Sequence, residues 1–280
     1  MSVATGRTPA TLPDVEPHRS TPWIAFGALL LRDLAVLRKN AAEFAVRTMM
    51  QPLLFVFVFT YVFPKIGQAV GGGGGADFSS VLVPGVVAIA CIFQGIQAVA
   101  LPLVQEFGYS REIEDRVMAP LPVWAVAVEK IAAGALQGLI AAGIVFPLAA
   151  IVPATPVSLQ VRPLELATVL PLAAIVGASL GLTIGTRVNP RQVPLIFGVV
   201  VIPITFLGAT YYPWATLTPI PWLKVLVLVN PLVYMSEGLR LALTPQTPHM
   251  PTPAVYAALV VFAILLGGAG IQGFRSRVLS

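Results

Sequence analysis

Residues 78–105 read FSSVLVPGVVAIACIFQGIQAVALPLVQ, 28 successive positions without a charged side chain. An α-helix needs about 20 mostly apolar residues to cross the hydrocarbon core of a bilayer, so this stretch is long enough to span a membrane. Charge-free windows also occur at 48–64, 131–161, 166–186, 192–223 and 241–274. The first of these reaches spanning length when residues 44–46 are added. The sequence therefore predicts six membrane-spanning helices.

The composition of the chain excludes the soluble classes of protein. Only 10% of the 280 residues are charged and 57% are apolar, whereas about 25% of residues are charged in ordinary globular proteins. A cytosolic enzyme and a compact nucleic-acid binder are excluded, despite the net charge of +5. A transmembrane β-barrel is excluded because its strands alternate in polarity over about ten residues. We therefore predict an all-α membrane protein, since long helices pair their backbone groups internally, as hydrocarbon requires.

The sequence divides into a tail and one transmembrane domain. Residues 1–20 are rich in Pro and Thr and lack the apolar core of a secretory signal, which predicts a disordered cytoplasmic tail. Residues 21–280 form the predicted domain. Its spans are expected at about 44–64, 80–105, 123–150, 165–186, 192–212 and 254–274, with a charged loop at 106–122.

The distribution of Lys and Arg predicts the orientation of the spans. The segments outside the windows alternate between the two sides of the membrane. The set that contains both termini carries 13 of these residues and the other set carries 4. Because cytoplasmic loops are enriched in Lys and Arg, both termini are expected in the cytoplasm.

Residues 22–40, before the first span, have the period of an amphipathic helix. Thr21 and Pro22 form a plausible N-cap and first turn. We predict a helix that lies in the membrane interface, with its basic residues towards headgroups or a cytosolic partner. The alternative is an early start of the first span. The apolar stripe consists of Trp23, Phe26, Leu30, Leu34, Leu37, Ala41 and Phe44, and the charged residues Arg32, Asp33, Arg38 and Lys39 lie mostly off it.

The loop at 106–122 holds the densest charge of the chain. It is longer than the two to eight residues that a simple helix connection needs, which favours a docking element for a cytosolic protein. The alternative is a solvated charged turn. With Arg32 and Arg38 of the interface helix, the predicted contacts to an ATPase partner are Glu106, Arg111, Glu112, Glu114, Asp115, Arg116 and Met118.

Residues 213–245 combine prolines with interfacial aromatic residues. Proline breaks helices, and Trp and Tyr concentrate where headgroups meet hydrocarbon. We predict a broken, partly re-entrant pair of short helices at the outer face, in which Glu237 and Arg240 are one turn apart and able to pair. The motif residues of this region are Pro213, Trp222, Asn230, Pro231, Tyr234, Glu237 and Arg240.

A few uncharged residues inside the spans are candidates for a substrate pathway: Gln94, Gln97, Phe197, Thr205, Tyr211 and Tyr212. For the polar members inside the spans, hydrogen bonding between helices is the favoured role. No catalytic residue and no metal site are predicted, because His18 and His249 have no ligand-like neighbours. The glycine run 71–75 lacks the Lys and Ser/Thr of a phosphate-binding loop, so it is a linker, and any nucleotide hydrolysis belongs to another polypeptide.

Three motifs in this order carry a resemblance to a known family: FLGATYYP at 206–213, PWL at 221–223 and NPLVY at 230–234, followed by Leu239-Arg240. Their order is similar to the outer-face stretch of the ABC-2 type transporter permeases. LVPG at 82–85 also looks like this family, and residues 112–122 resemble its cytoplasmic coupling segment. The family contains drug-resistance exporters of the daunorubicin type and exporters of polysaccharides or lipids.

This resemblance, which covers about residues 25–275, implies two permeases around a central pathway, identical or homologous, and two separate ATPase subunits. ATP and Mg would bind on those partners and not on this chain. The expected function is export of a drug-like or other hydrophobic molecule through the inner membrane of a bacterium. Export of a polysaccharide or glycolipid is the alternative. A membrane enzyme acting on lipids and an ATP-independent channel or carrier are the rival classes.

Overall fold

The computed structural model describes residues 22–66, 75–107, 121–153, 157–189, 192, 195 and 197–279. Within this part of the chain all regular structure is helical and no β-strand occurs, so the predicted all-α membrane fold is confirmed. Five of these helices are long and apolar enough to cross a membrane. The number becomes six if one sharply bent pair counts as a single span.

The first two helices meet at Asn40. Helix α1 is Pro22–Lys39 and helix α2 begins as Ala41–Val56. α2 continues as a π-helical stretch, Phe57–Val62, and ends in one α-helical turn, Phe63–Lys65. Within this stretch the Thr60 hydroxyl donates to the Val56 carbonyl at 2.6 Å. This bond competes with the backbone ladder at the point where the helix widens.

Three long helices follow, α3 (Gly75–Gln105), α4 (Val123–Ile151) and α5 (Pro163–Arg187). The next helical segment is a π-helical stretch, Phe197–Val201, that leads into α6 (Ile202–Phe206). The short helices α7 (Pro221–Leu226) and α8 (Pro231–Leu243) come next, and α9 (Thr252–Leu279) ends the described chain.

α3 is the central helix and packs against both α4 and α5. Most of its side chains are enclosed, whereas α2 and α9 leave most of their apolar surface uncovered. The C-termini of α3, α5 and α9 lie together with α1 and the start of α4. We call this side of the bundle the α1 end and the opposite side the distal end.

A ridge of three glycines on α5 allows its backbone to approach α3. Gly177, Gly181 and Gly185 follow one another at every fourth position, so they lie on one face of the helix. A Cβ atom at Gly181 would lie 2.9 Å from both the Ile96 Cα and the Gly95 carbonyl oxygen. Small residues at such spacing are typical of tightly packed membrane helices.

The distal end contains the predicted broken helix pair. The segment Pro221–Val229 and helix α8 meet at Asn230 with a bend of 97°. Asn230 accepts a hydrogen bond from the Leu232 N–H at 2.9 Å, and Pro231 occupies the first turn, where a missing N–H costs nothing. These two residues explain why one helix ends and another begins here.

Some predicted segments lie wholly or partly outside the described residues. The tail 1–20 and residues 108–120 of the charged loop are among them. The predicted fifth span, 192–212, is described at residues 192, 195 and 197–212, where helix covers residues 197–206 and the chain then turns. This span therefore stays a prediction.

The glycine ridge gives a stability prediction. We expect Gly181→Ala to lower the thermal unfolding midpoint, because the new methyl group meets backbone atoms of α3 and overpacking costs about 1–3 kcal/mol. The control is Gly143→Ala, because nothing lies within 4 Å of a Cβ atom there. Unfolding is followed by the reaction of a thiol dye with Cys91, which is buried and is the chain's single cysteine. Equal midpoints for the two variants would contradict the close approach.

Candidate functional site

Three charged side chains meet at the α1 end. The Lys130 ammonium of α4 lies 3.2 Å from a carboxylate oxygen of Glu106, at the end of α3, and 3.8 Å from one of Asp33 on α1. Lys130 and Glu106 are buried, with side chains 4% and 6% exposed, and Asp33 is 19% exposed. A buried charge is tolerated when it is paired. The charged triad, as we call these residues, therefore connects α1, α3 and α4.

A cavity of about 360 Å³ opens beside the charged triad. Its walls come from α1, α2, α3 and α4, and both acidic and basic groups line it. Its charged lining residues are Arg32, Asp33, Glu43, Arg47, Glu106 and Lys130, and Asn40 and Gln137 add amide groups. This volume lies in the lower part of the range typical of small-molecule sites.

A chain of polar side chains leads from this cavity into the bundle. Gln137 lines the cavity, and its amide oxygen accepts a hydrogen bond from the Gln94 amide at 3.3 Å. The Gln94 amide oxygen in turn accepts from the Thr48 hydroxyl at 3.2 Å. These three residues join α4, α3 and α2, which is the hydrogen bonding between helices that the sequence favours for Gln94. Gln97 is half-buried one turn nearer the α1 end.

A cluster of aromatic rings connects α2 to the segment after α6. The ring of Tyr211 lies 5.8 Å from Phe55, 6.1 Å from Phe59 and 5.9 Å from Phe206, measured between ring centroids. Phe78, near the start of α3, lies 6.5 Å from Phe59. Such distances are typical of interacting aromatic pairs. Tyr211, a predicted pathway residue, is therefore the centre of an aromatic cluster that borders α2.

Thr205 and Tyr212, two further predicted pathway residues, make local contacts. The Thr205 hydroxyl donates to the Ile202 carbonyl at 2.6 Å, which is a contact within α6. The Tyr212 hydroxyl donates to the Phe206 carbonyl at 3.4 Å. Phe197 begins the π-helical stretch before α6.

Glu237 lies at the centre of a group of hydrogen bonds at the distal end. Its carboxylate accepts hydrogen bonds from the backbone N–H groups of Trp214, at 2.8 Å, and Met250, at 2.7 Å. A guanidinium nitrogen of Arg240 lies 2.5 Å from the Glu237 carboxylate, so the predicted pairing is present. Both side chains are fully buried. The Arg240 guanidinium also donates to the carbonyls of Ala209, at 3.0 Å, and Val81, at 3.4 Å. We call this arrangement the distal hub.

The remaining motif residues fix the same region. The Asn230 amide donates to the Ile204 carbonyl at 2.6 Å, and the Tyr234 hydroxyl donates to the Leu228 carbonyl at 3.1 Å. Pro213 and Pro231 are buried, whereas Trp222 is 69% exposed. Asn230 and Tyr234 thus connect α6 and the short turns to α8, and Trp222 lies on the surface.

The predicted ATPase contacts are only partly described. Arg111, Glu112, Glu114, Asp115, Arg116 and Met118 lie outside the described residues. Arg32 and Arg38 are exposed on α1, and Glu106 is buried in the charged triad. Among the described residues no group of His, Cys, Asp or Glu has the arrangement of a metal site.

Sequence reasoning missed two parts of this arrangement. Asp33 was placed mostly off the packed face of α1, but it points towards α4 and binds Lys130. The signal was its spacing, because Phe26, Leu30, Asp33 and Leu37 lie on one face of a helix. The backbone donors of Trp214 and Met250 at the distal hub carry no sequence signal, because any residue supplies an N–H.

Two comparisons with known proteins bear on this arrangement. A family model described as ABC-2 type transporter matches residues 24–244. The chain is also similar to the inner membrane transport permease YadH of Escherichia coli K12, with 27% identity over 252 residues, which cover 86% of this chain and 91% of that protein. The proteins of the same name from Escherichia coli O157:H7 and Shigella flexneri match with the same identity and coverage.

The distal hub gives a second stability prediction. We expect Glu237→Gln to destabilise the fold by about 3 kcal/mol or more, because Arg240 would remain buried without its counter-charge. The control is Glu165→Gln, which breaks a half-exposed pair with Arg162 at 4.0 Å, worth about 0–1 kcal/mol. Thermal unfolding of both variants, followed at Cys91, measures the difference. A hub variant as stable as the control would show that the pair contributes nothing to the fold.

Proposed function

Because this chain belongs to the ABC-2 type transporter family, we propose that it is the transmembrane permease subunit of an ATP-driven exporter. The chain is a multi-pass membrane transporter subunit by family and by its apolar helices. In the proposed assembly two permeases, identical or homologous, surround a pathway, and two ATPase subunits bind ATP and Mg on the cytoplasmic side. The name of the YadH relatives supports a location in the bacterial inner membrane, and the Lys and Arg distribution supports cytoplasmic termini.

The observation that carries this proposal is the charged triad. The loop at 106–122 leaves α3 at Glu106 and leads into α4, seven residues before Lys130. Any force on the loop therefore acts on α3 and α4, which the ion pair between Glu106 and Lys130 joins. The contact between Asp33 and Lys130 extends this connection to α1. This is the connection that a permease needs if an ATPase pushes on its cytoplasmic face. The triad gives the proposed docking element a mechanical role.

The substrate class is inferred from the exposed face of α2. Phe57 and Tyr61 on α2 stack on each other at 5.3 Å between ring centroids and are 42% and 41% exposed, and Phe206 of the aromatic cluster is 53% exposed. We propose that this face and the 197–212 segment border the pathway between two protomers. Apolar and aromatic walls favour a drug-like or other hydrophobic molecule. A polysaccharide or glycolipid is the second candidate, because sugar rings also pack on aromatic side chains.

Copurification tests the proposal directly. We expect the full chain, tagged and extracted in mild detergent, to recover an ATPase with a phosphate-binding loop. Transport by vesicles should then require ATP. Full transport by this chain alone, or transport that follows a proton gradient after ATP depletion, would overturn the proposal.

The docking loop gives a more specific prediction. We expect Glu112→Lys with Glu114→Lys to lower transport-coupled ATP hydrolysis at least about tenfold, because reversing two charges at one contact replaces attraction with repulsion. Membrane insertion should be retained, since the change lies outside the spans. The control is Asp14→Lys with Glu16→Lys, which changes two acids at the same spacing in the tail. Unchanged coupled hydrolysis in the loop variant would refute the docking role.

A further inference from the structure

The polar cavity at the α1 end adjoins an apolar groove on the outside of α2 at Arg47. Met50, Leu54, Phe55, Val58 and Phe59 line this groove, which has a volume of about 390 Å³. Arg47 lines both the groove and the cavity. Arg47, Met50, Leu54 and Val58 recur at spacings of three and four, so the groove follows one stripe along the helix. A site that is charged at one end and apolar along its length fits an amphipathic molecule.

From this adjacency we infer that the cavity binds the headgroup of a zwitterionic phospholipid, with a phosphate and a primary ammonium, while one acyl chain lies in the α2 groove. The lipid would come from the leaflet at the α1 end. This inference does not depend on the exporter proposal, because it concerns binding to this chain alone.

The charges of the cavity fit a headgroup that carries both signs. Lys130 is already paired within the charged triad. In the described part of the chain no ion pair involves Arg32, Glu43 or Arg47. Glu43 and Arg47 lie one helical turn apart on α2 and therefore on the same face. Guanidinium groups bind phosphate oxygens through paired hydrogen bonds. Arg47 and Arg32 are thus placed for the phosphate and Glu43 for the ammonium.

The length of the groove matches one leaflet. Phe59 is twelve positions after Arg47, which corresponds to about 18 Å along a helix. Half of the hydrocarbon core of a bilayer is about 15 Å thick. Arg47 also stands directly before the charge-free window that begins at residue 48, the depth at which Arg side chains reach headgroups. The groove therefore begins at headgroup level and ends near the middle of the membrane.

The test is a lipid titration of the delipidated full chain, followed by native mass spectrometry. The probes are phosphatidylethanolamine, phosphatidylglycerol with the same acyl chains, and glycerophosphoethanolamine, which has the headgroup without chains. We expect phosphatidylethanolamine to bind best and Arg47→Gln to weaken it about tenfold, the usual effect of losing a charge-assisted hydrogen bond. The control is Lys39→Gln, which removes one exposed positive charge of α1 outside the cavity.

Two further variants separate the parts of the site. Glu43→Gln should weaken phosphatidylethanolamine but leave phosphatidylglycerol unchanged, because only the former has the ammonium. Leu54→Trp should fill the groove and weaken both lipids, while glycerophosphoethanolamine is unaffected. Leu54 is 53% exposed, so this variant should fold, and the unfolding midpoint at Cys91 verifies that it does.

Several results would overturn the inference. An equal loss in Lys39→Gln and Arg47→Gln would indicate general surface charge. Stronger binding of phosphatidylglycerol would exclude a zwitterionic headgroup. If glycerophosphoethanolamine competed as well as the full lipid and Leu54→Trp had no effect, the cavity would be a site for a soluble phosphate compound.

Discussion

The contact between the backbones of α3 and α5 is the constraint from which the other positions follow. Because Gly177, Gly181 and Gly185 carry no side chain, α5 lies directly against α3 and fixes its axis and rotation. That rotation turns Gln94 towards α2 and α4, and it places Glu106 beside Lys130. The polar groups of α3 reach their partners because this close contact sets the position of the helix.

The two ends of the bundle bury charge in different ways. At the distal hub Glu237 has three donors within 2.8 Å, and both members of the pair are fully buried. At the α1 end Lys130 is close to Glu106, but Asp33 is 3.8 Å away and 19% exposed. Breaking a buried pair costs about 3–5 kcal/mol, whereas an exposed pair contributes about 0–1 kcal/mol. Glu237 and Arg240 therefore form the more tightly held pair, and Asp33 is the most exposed member of the charged triad.

The sequence was sufficient for features that depend on composition and period, and insufficient for those that depend on three-dimensional packing. Charge-free windows predicted the long helices, and the spacing of Glu237 and Arg240 predicted their pair. The partners of Lys130 were missed because Asp33, Glu106 and Lys130 are far apart in the chain, and the packing of α1, α3 and α4 brings them together. Backbone donors such as the Met250 N–H are invisible to sequence patterns because any residue except proline supplies an N–H.

Helix α2 differs from the other long helices in the way it is held. Thr48 hydrogen-bonds to Gln94, and Phe55 and Phe59 pack on Tyr211, but no glycine ridge joins its backbone to a neighbour. Among the described residues, α3 and α5 are therefore joined through their backbones, whereas α2 is joined to its neighbours through side chains. Helices α1 and α2 meet at Asn40, so the proposed ATPase contact on α1 and the proposed pathway beside α2 lie on consecutive helices.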